Sequence, residues 1–363
     1  MRAVRSDASV IKLRPAVAPR AGRNIEYRVL VVALFAILLA AGRNAAAQDQ
    51  DTVYVSTGSA GGHARLGGEI LDYRGSGLRI RVAGGHEKLI PAEKILGIET
   101  FYIRPHVDAN RMFEVGKYGE AVPLYQNALD NNNEPRRWVR RQIMAQLIRC
   151  YDALGRPDRA GNGFVALVEE DPETPYFDCL PLAWLPRQAS PATEQLARSW
   201  TQNKQPAVEL LGLSYLLQTS VRQDVLSRLR QLAAGPDRRV AQLAMAQTWR
   251  ASVATAKIPQ LDAWNQAVEQ MPERLAAGPY FVLGTAWIQK QQWEKAALAL
   301  MRLPILYPQQ RALAAQALVG AARCMEKLNR KSEALRLYYE LMRTYKEQTW
   351  AIAEAESRIE QLQ

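Results

Sequence analysis

From about position 106 to the end of the chain, apolar residues recur at i, i+3 and i+4, the period of a helix with one buried stripe. The stretches "AVELLGLSYLLQ", "QDVLSRLRQLAA", "RRVAQLAMAQTWRA" and "QLDAWNQAVEQM" all carry it. Between about 51 and 102 the pattern shortens to alternating runs broken by glycine. "TVYV", "ARLGGEILDY", "GLRIRV", "HEKLIP" and "KILGIET" predict five strands, separated by "GSAGG", "RGSG" and "AGG" turns that use positive φ. In "GLRIRV" the alternation buries Leu78, Ile80 and Val82 and leaves Arg79 and Arg81 wet. Five short strands in so few residues predict a small closed barrel, because an open sheet of that size leaves exposed edges.

In the helical part, "YFVLGTAWIQKQQWEKAALALMRLPILYP" spaces Leu283, Gly284, Trp287, Ala296, Leu300 and Pro308 in a way no catalytic chemistry requires. Small residues at Gly284 and Ala296 let two antiparallel helices approach, Trp287 and Leu300 fill the flanking space, and Pro308 stops the second helix. The frame recurs at Ala121, Ala160 and Ala334, with Gly116, Gly155 and Asn329 at turns suited to a left-handed helix C-terminus. It resembles the tetratricopeptide repeat, a 34-residue helix–turn–helix unit. The intervals Ala121–Ala160 and Ala296–Ala334 are 39 and 38 residues, so these units run longer than the family minimum. Between the two pairs the chain has room for about three degenerate hairpins. There Leu211, Gly212 and Tyr215 suit a first helix without the following alanine, and "GPDRRVAQLAMA" resembles the start of a HEAT-type helix. Proline-rich "DPETPYFDCLPLAWLPRQASPATEQ" is expected to interrupt the stack as a loop.

The fold class expected is mainly α, an α-solenoid of tetratricopeptide-like hairpins preceded by a small all-β barrel. Expected boundaries are a leader at 1–47, the barrel at 51–104, a repeat pair at 106–178, degenerate hairpins at 179–275 and a second repeat pair at 276–363. In the β module, Gly68-Glu69-Ile70, Leu78, Ile80, Ile90-Pro91, Ile95 and Ile98 resemble the small SH3-like or Sm-like barrels near the front of exported bacterial proteins.

The net charge of +11 resembles a nucleic-acid signature until it is located. Residues 1–47 carry eight Lys/Arg against Asp7 and Glu26, so the body holds only a mild excess. That excess, without interleaved aromatics, excludes a nucleic-acid binder. Arg28, the apolar run "VLVVALFAILLAA" (29–41) and Ala45-Ala46-Ala47 read as a secretory signal. The run is too short to span a bilayer comfortably. The expected location is the periplasm or cell envelope. The alternative is an uncleaved inner-membrane anchor at 29–41, which would associate the protein with a membrane.

Catalytic and metal motifs are missing from the sequence, so no enzyme, cofactor or metal is expected. No histidine has a zinc-site spacing and no phosphate-binding glycine loop occurs. "GLSYL" lacks the second glycine of a nucleophile elbow. His63 and His86 fall at turns as solvated side chains, and Cys150, Cys179 and Cys324 have no metal-ligand spacing. Glu169-Glu170-Asp171 reads as a solvated cluster. Arg136, Arg137, Arg140 and Arg141 fall on neighbouring helical faces, either as a solvated surface or as a grip on an acidic partner or anionic lipid.

The function expected is a non-enzymatic scaffold holding a protein or peptide on the concave repeat face. The alternative is a structural subunit that docks into a larger envelope complex through the barrel. The final eighty or so residues resemble tetratricopeptide proteins of envelope machinery, such as Tol–Pal accessory and outer-membrane assembly factors. The resemblance implies that first helices line the concave side. It places Gln142, Ala145, Arg149 and Asp152 there, then Gly278, Phe281, Thr285 and Ile288, then Gln316, Val319, Arg323 and Glu326. Of these, Gln142, Arg149, Asp152, Phe281, Thr285, Ile288, Arg323 and Glu326 are the candidate protein-binding residues, with Phe281 and Ile288 as apolar anchors. Arg149 with Asp152, and Arg323 with Glu326, are three apart on a helix, so each pair either orients a peptide or neutralises itself.

Overall fold

The computed structural model describes residues 50–363 apart from 59–61, 131–132 and 187–188. The leader reading at 1–47 lies outside the described residues. The described chain divides into two compact units. One holds the residues up to Val107 together with Arg136–Trp138, and the other holds Asp108–Pro135 and Val139–Gln363.

The first unit is built on β1 (Asp51–Ser56), β2 (His63–Arg74), β3 (Gly77–Arg81), β4 (Glu87–Ile90) and β5 (Ile95–Glu99). All five expected strands are present, paired antiparallel in the order β4-β3-β2-β1-β5. The expected closure is not: the sheet is open, with β4 and β5 at its edges. Long β2 serves both halves, pairing β1 with its first residues and β3 with its last. Its register shifts between Ile70 and Asp72, the extra residue that lets a strand bend. Alternation works as expected: Ile70, Tyr73, Leu78 and Ile80 are buried, with Ile70 opposite Ile80 and Tyr73 opposite Leu78. On the wet face Arg81 bridges Glu69 and Glu87 at 2.8 and 3.1 Å. The β3–β4 turn uses Gly84 and Gly85 at φ +88° and +80°, as the "AGG" pattern requires.

The second unit is helical. Its helices are α1 (Arg104–Glu114, entering from the first unit), α2 (Tyr118–Leu129), α3 (Arg137–Ala153), α4 (Pro157–Glu170), α5 (Pro191–Trp200), α6 (Pro206–Leu216) and α7 (Arg222–Ala233). They continue with α8 (Arg238–Arg250), α9 (Ile258–Glu269), α10 (Ala277–Gln289), α11 (Trp293–Leu306), α12 (Arg311–Lys327), α13 (Lys331–Thr344) and α14 (Thr349–Leu362). Four hairpins share one turn geometry. Gly116, Gly155, Gln291 and Asn329 all have φ between 55° and 76°. The following amide in each closes a six-residue loop: Lys117 to Met112, Arg156 to Tyr151, Gln292 to Trp287 and Arg330 to Met325, at 2.8–3.1 Å. That bond satisfies a carbonyl the helix end leaves open. Three of the four turns are legible as glycine or asparagine; Gln291 is not.

From α6 onward the helices form two layers, with α6, α8, α10, α12 and α14 neighbouring one another in one layer and the intervening helices in the other. The packing predicted around Ala296 is present. Ala296 is fully buried, and Leu300 of α11 lies between Gly284 of α10 and Gly320 of α12. Two hydrophobic clusters fill the unit, and Trp184 packs against both. The first hairpin also returns to a late one: the Tyr118 hydroxyl donates to the carbonyl of Gln309 at 3.3 Å, 191 positions on.

Candidate functional site

The proline-rich stretch after α4 is a loop, as expected: its described residues before Pro191 hold no α-helix or strand, only turns and a short 3-10 helix at Phe177–Cys179. It crosses the face of the α6–α8–α10 layer. Its start is clamped by Arg239 of α8, which donates to the carbonyls of Pro172 and Glu173 at 3.2 and 2.9 Å and lies 4.3 Å from the Phe177 ring. Arg149 of α3 then pairs with Asp178 at 2.9 Å. Beyond it, Leu180, Pro181 and Leu182 are buried, while Ala183, Trp184 and Leu185 remain partly exposed.

Three side chains on two successive helices hold the backbone here. The Tyr215 hydroxyl (α6) donates to the Pro181 carbonyl at 3.1 Å, and the Ala183 amide donates to Ser214 Oγ (α6) at 3.1 Å. Gln247 Nε2 (α8) donates to the Ala183 carbonyl at 3.3 Å. Arg250 of α8 fixes both supports, donating to Gln247 Oε1 at 2.6 Å and to the Ser214 carbonyl at 2.9 Å. Burial pushes the pKa of Arg250 down to about 10. On α10 the Trp184 ring lies so close to Gly278 that a methyl group there would fall 2.0 Å from it.

The expected binding residues divide. Gln142 is buried, and Phe281 is only 6% exposed within the core, so it is not a free apolar anchor. Thr285 donates back to the Phe281 carbonyl within its own helix at 2.8 Å, and Ile288 is half-buried beside Gly320. Neither charged pair neutralises itself. Arg149 is paired with Asp178; burial opposes its charge, and Asp178 holds its pKa above the ordinary value. Arg323 pairs with Glu354 of α14 at 2.5 Å, and Glu326 pairs with Arg358 of α14 while accepting the Tyr338 hydroxyl at 2.6 Å. Asp152 is different. Its side chain is exposed and no ion pair among the described residues engages it, yet surrounding protein pushes its pKa up to about 6 by desolvation. Its charge reaches Tyr215.

The arginine cluster is consumed internally, which corrects both readings given to it. Arg136 donates to Thr100 Oγ1 and the Phe101 carbonyl at 2.8 and 2.7 Å, inside the first unit. In the second, Arg140 donates to the carbonyls of Leu129 and Glu134, and Arg141, 2% exposed, pairs with Glu170 at 2.7 Å. Only Arg137 of the four is exposed. The acidic cluster is solvated at Glu169 and Glu170, the latter paired with Arg141, while Asp171 is buried. His106, absent from any sequence motif, is fully buried, and burial together with the Arg136 charge lowers its pKa to about 3. All three cysteines are free and buried. Among the described residues no cluster of His, Cys, Asp and Glu suits a metal ion, and no helix is long and apolar enough to cross a membrane.

Residues 112–178 and 316–347 match models of the tetratricopeptide repeat. These stretches contain the turns at Gly116, Gly155 and Asn329, so the chain carries tetratricopeptide repeats near both ends of its helical part. No curated protein matches the chain. Among solved structures, it is similar to a thermophilic tetratricopeptide-repeat protein of Thermus thermophilus, with 14% identity over 70% of this chain and 97% of that one, at a TM-score of 0.32. It is also similar to an assembly chaperone of RpL4 (Acl4, residues 1–338), with 16% identity over 71% of this chain and 98% of that one, at a TM-score of 0.30.

Proposed function

We propose that this chain is a non-enzymatic interaction scaffold that holds a protein or peptide along the face formed by α3, α6, α8 and α10. Repeats of this kind bury a continuous core only by stacking, and the stacked layer presents one long surface to a partner. The observation that carries the reading is Asp152, an exposed carboxylate at the end of α3 that no ion pair among the described residues engages, while Arg149, Arg323 and Glu326 are all paired. A lysine, arginine or amino terminus brought beside it stabilises its charged form. Asp152→Asn is therefore expected to lose a crosslinked partner while keeping the fold; recovery at the wild-type level would remove the reading. The location proposed is the cell envelope, on the basic-apolar-small pattern of residues 1–47. Sequencing the mature N-terminus tests it, and Met1 in a cytoplasmic fraction would refute it.

A second reading, a structural subunit docked through the β module, has its own support. The sheet is open at β4, an edge strand that leaves Leu89 64% exposed, and unpaired edges are templates for strand addition. Leu89→Lys should then dissociate the complex without touching the helical repeats. A complex that survives this change counts against it.

A further inference from the structure

The segment Leu180–Leu185 follows the path a bound peptide takes on a stack of helices. It has no helix or strand of its own, turns once at Pro181 where the Leu182 amide donates to the Leu180 carbonyl at 3.0 Å, and passes in sequence over α6, α8 and α10. Pro181 keeps Leu180 out of helical conformation, so the segment enters the face as non-helical chain. Side chains from successive helices read its main chain: Tyr215 and Ser214 from one, Gln247 from the next. Main-chain reading accepts any residue at those positions, and specificity then comes from a seat for one large side chain. Gly278 supplies the seat. Its missing side chain makes the space that the Trp184 ring occupies. The buried half, Leu180–Leu182, anchors the segment, whereas Ala183–Leu185 stays partly open to water.

We infer that Pro181–Leu185 is an internal stand-in for a partner: the face of α6, α8 and α10 takes a non-helical, proline-containing peptide with a large aromatic side chain, and the chain's own segment keeps that face closed until such a peptide displaces it. The inference rests on the interaction reading above and names the partner's chemistry. A tethered segment competes at an effective concentration on the order of millimolar, so a free peptide of equal affinity is largely excluded until the tethered aromatic is removed.

The test uses the full chain and a labelled synthetic peptide, Leu-Pro-Leu-Ala-Trp-Leu-Pro, with a scrambled control, followed by fluorescence anisotropy. Trp184→Ala is expected to bind the peptide about tenfold or more tightly than the wild type, with no gain for the scramble. A variant with wild-type circular dichroism and melting that gains no affinity overturns the inference. Should the variant fail to fold, hydrogen exchange in the wild type decides instead. The Ala183 amide is expected to exchange by a local opening, well ahead of the central amides of α8 and α10. Protection equal to theirs means that the segment leaves only when the protein unfolds, and the inference falls. Partner recovery with Asp152→Asn is measured in parallel. A partner that depends on Asp152, without peptide binding, removes the internal-ligand inference and leaves the scaffold reading in place.

Discussion

Leu300 sits between two glycines on two different helices, and this makes the repeat packing measurable. An added Cβ at Gly284 would lie 2.6 Å from Leu300 Cγ and 2.7 Å from Cδ2; at Gly320 it would lie 2.9 Å from Leu300 Cδ1 and in ordinary contact, 3.7 Å, with Ile288 Cδ1. Replacing a helical glycine by alanine gains about 1 kcal/mol in helix propensity. Overpacking a filled site costs about 1–3 kcal/mol, and Leu300 is 1% exposed. At Gly284 the clash includes the branch carbon, which moves only with χ1 or the backbone, so the cost prevails. Gly284→Ala is expected to destabilise by about 1–2 kcal/mol net. At Gly320 a methyl group can give way, and Gly320→Ala is expected to fall within about 0.5 kcal/mol of neutral. Relief at Gly320 pushes Leu300 toward Gly284, so the double variant should be worse than the sum of the singles. In a Leu300→Ala background the clash disappears, and Gly284→Ala should stabilise by about 1 kcal/mol. Urea unfolding followed by tryptophan fluorescence reads the cycle through Trp287 and Trp293 on the same two helices. Gly284→Ala stabilising the protein with Leu300 intact would refute the close-contact argument.

Other expected outcomes follow from burial and charge. Ala296→Leu should cost about 1–3 kcal/mol by overpacking, and an unchanged melting point would contradict the fully buried contact. Phe281→Ala should cost about 3–5 kcal/mol as a core truncation; lost partner binding with undiminished stability would instead restore it as an anchor. Asp152 has a folded pKa of about 6 against an ordinary 3.8, so the folded state binds its proton more tightly than the unfolded one. Its contribution is present below the unfolded value and is lost as pH rises toward about 6. Asp152→Asn should therefore match the wild type near pH 4 and gain stability relative to it as pH rises through that window. A pH-independent difference would exclude desolvation of Asp152 as the cause.

What could be read from the sequence was whatever has a period or a required backbone angle. The five strands follow from alternation, and three of four repeat turns follow from residues that tolerate positive φ. Gln291 adopts the same φ without announcing it, because the surrounding hairpin holds it there through the Gln292–Trp287 bond. Barrel closure was not legible. It depends on whether the two edge strands meet, and no pattern within either strand encodes that. The proline-rich stretch was read as a loop because it has no period, and it is one; its packing against the helices was not legible. Its burial comes from helices 30 to 100 residues further on, with Tyr215, Gln247 and Gly278 each unremarkable within its own helix. The arginines misled for a related reason. Helix α3 begins at Arg137, so Arg136 lies before it and turns to Thr100 instead of sharing a helical face with Arg140.

The charged pair on α12 shows why spacing alone could not decide between binding and neutralisation. Arg323 and Glu326 stand three apart, close enough to meet on one helix surface. Each instead finds its opposite on α14, where Glu354 and Arg358 stand four apart and present the charges in complementary order. Adjacent packed helices lie within reach of such long side chains, and once a neighbour offers partners, the pair within the helix has no advantage. Tyr338 donates a further bond to Glu326, which leaves that carboxylate little capacity for a ligand. The fourth unit's polar positions are thus engaged in holding the last helix. Arg149 is spent in the same way on Asp178, while Asp152, on the same helix and three residues on, has no such neighbour among the described residues. Among the candidate charged positions, the one left without an ion pair among the described residues is therefore Asp152 at the end of α3, and the proposed partner would be drawn there by charge.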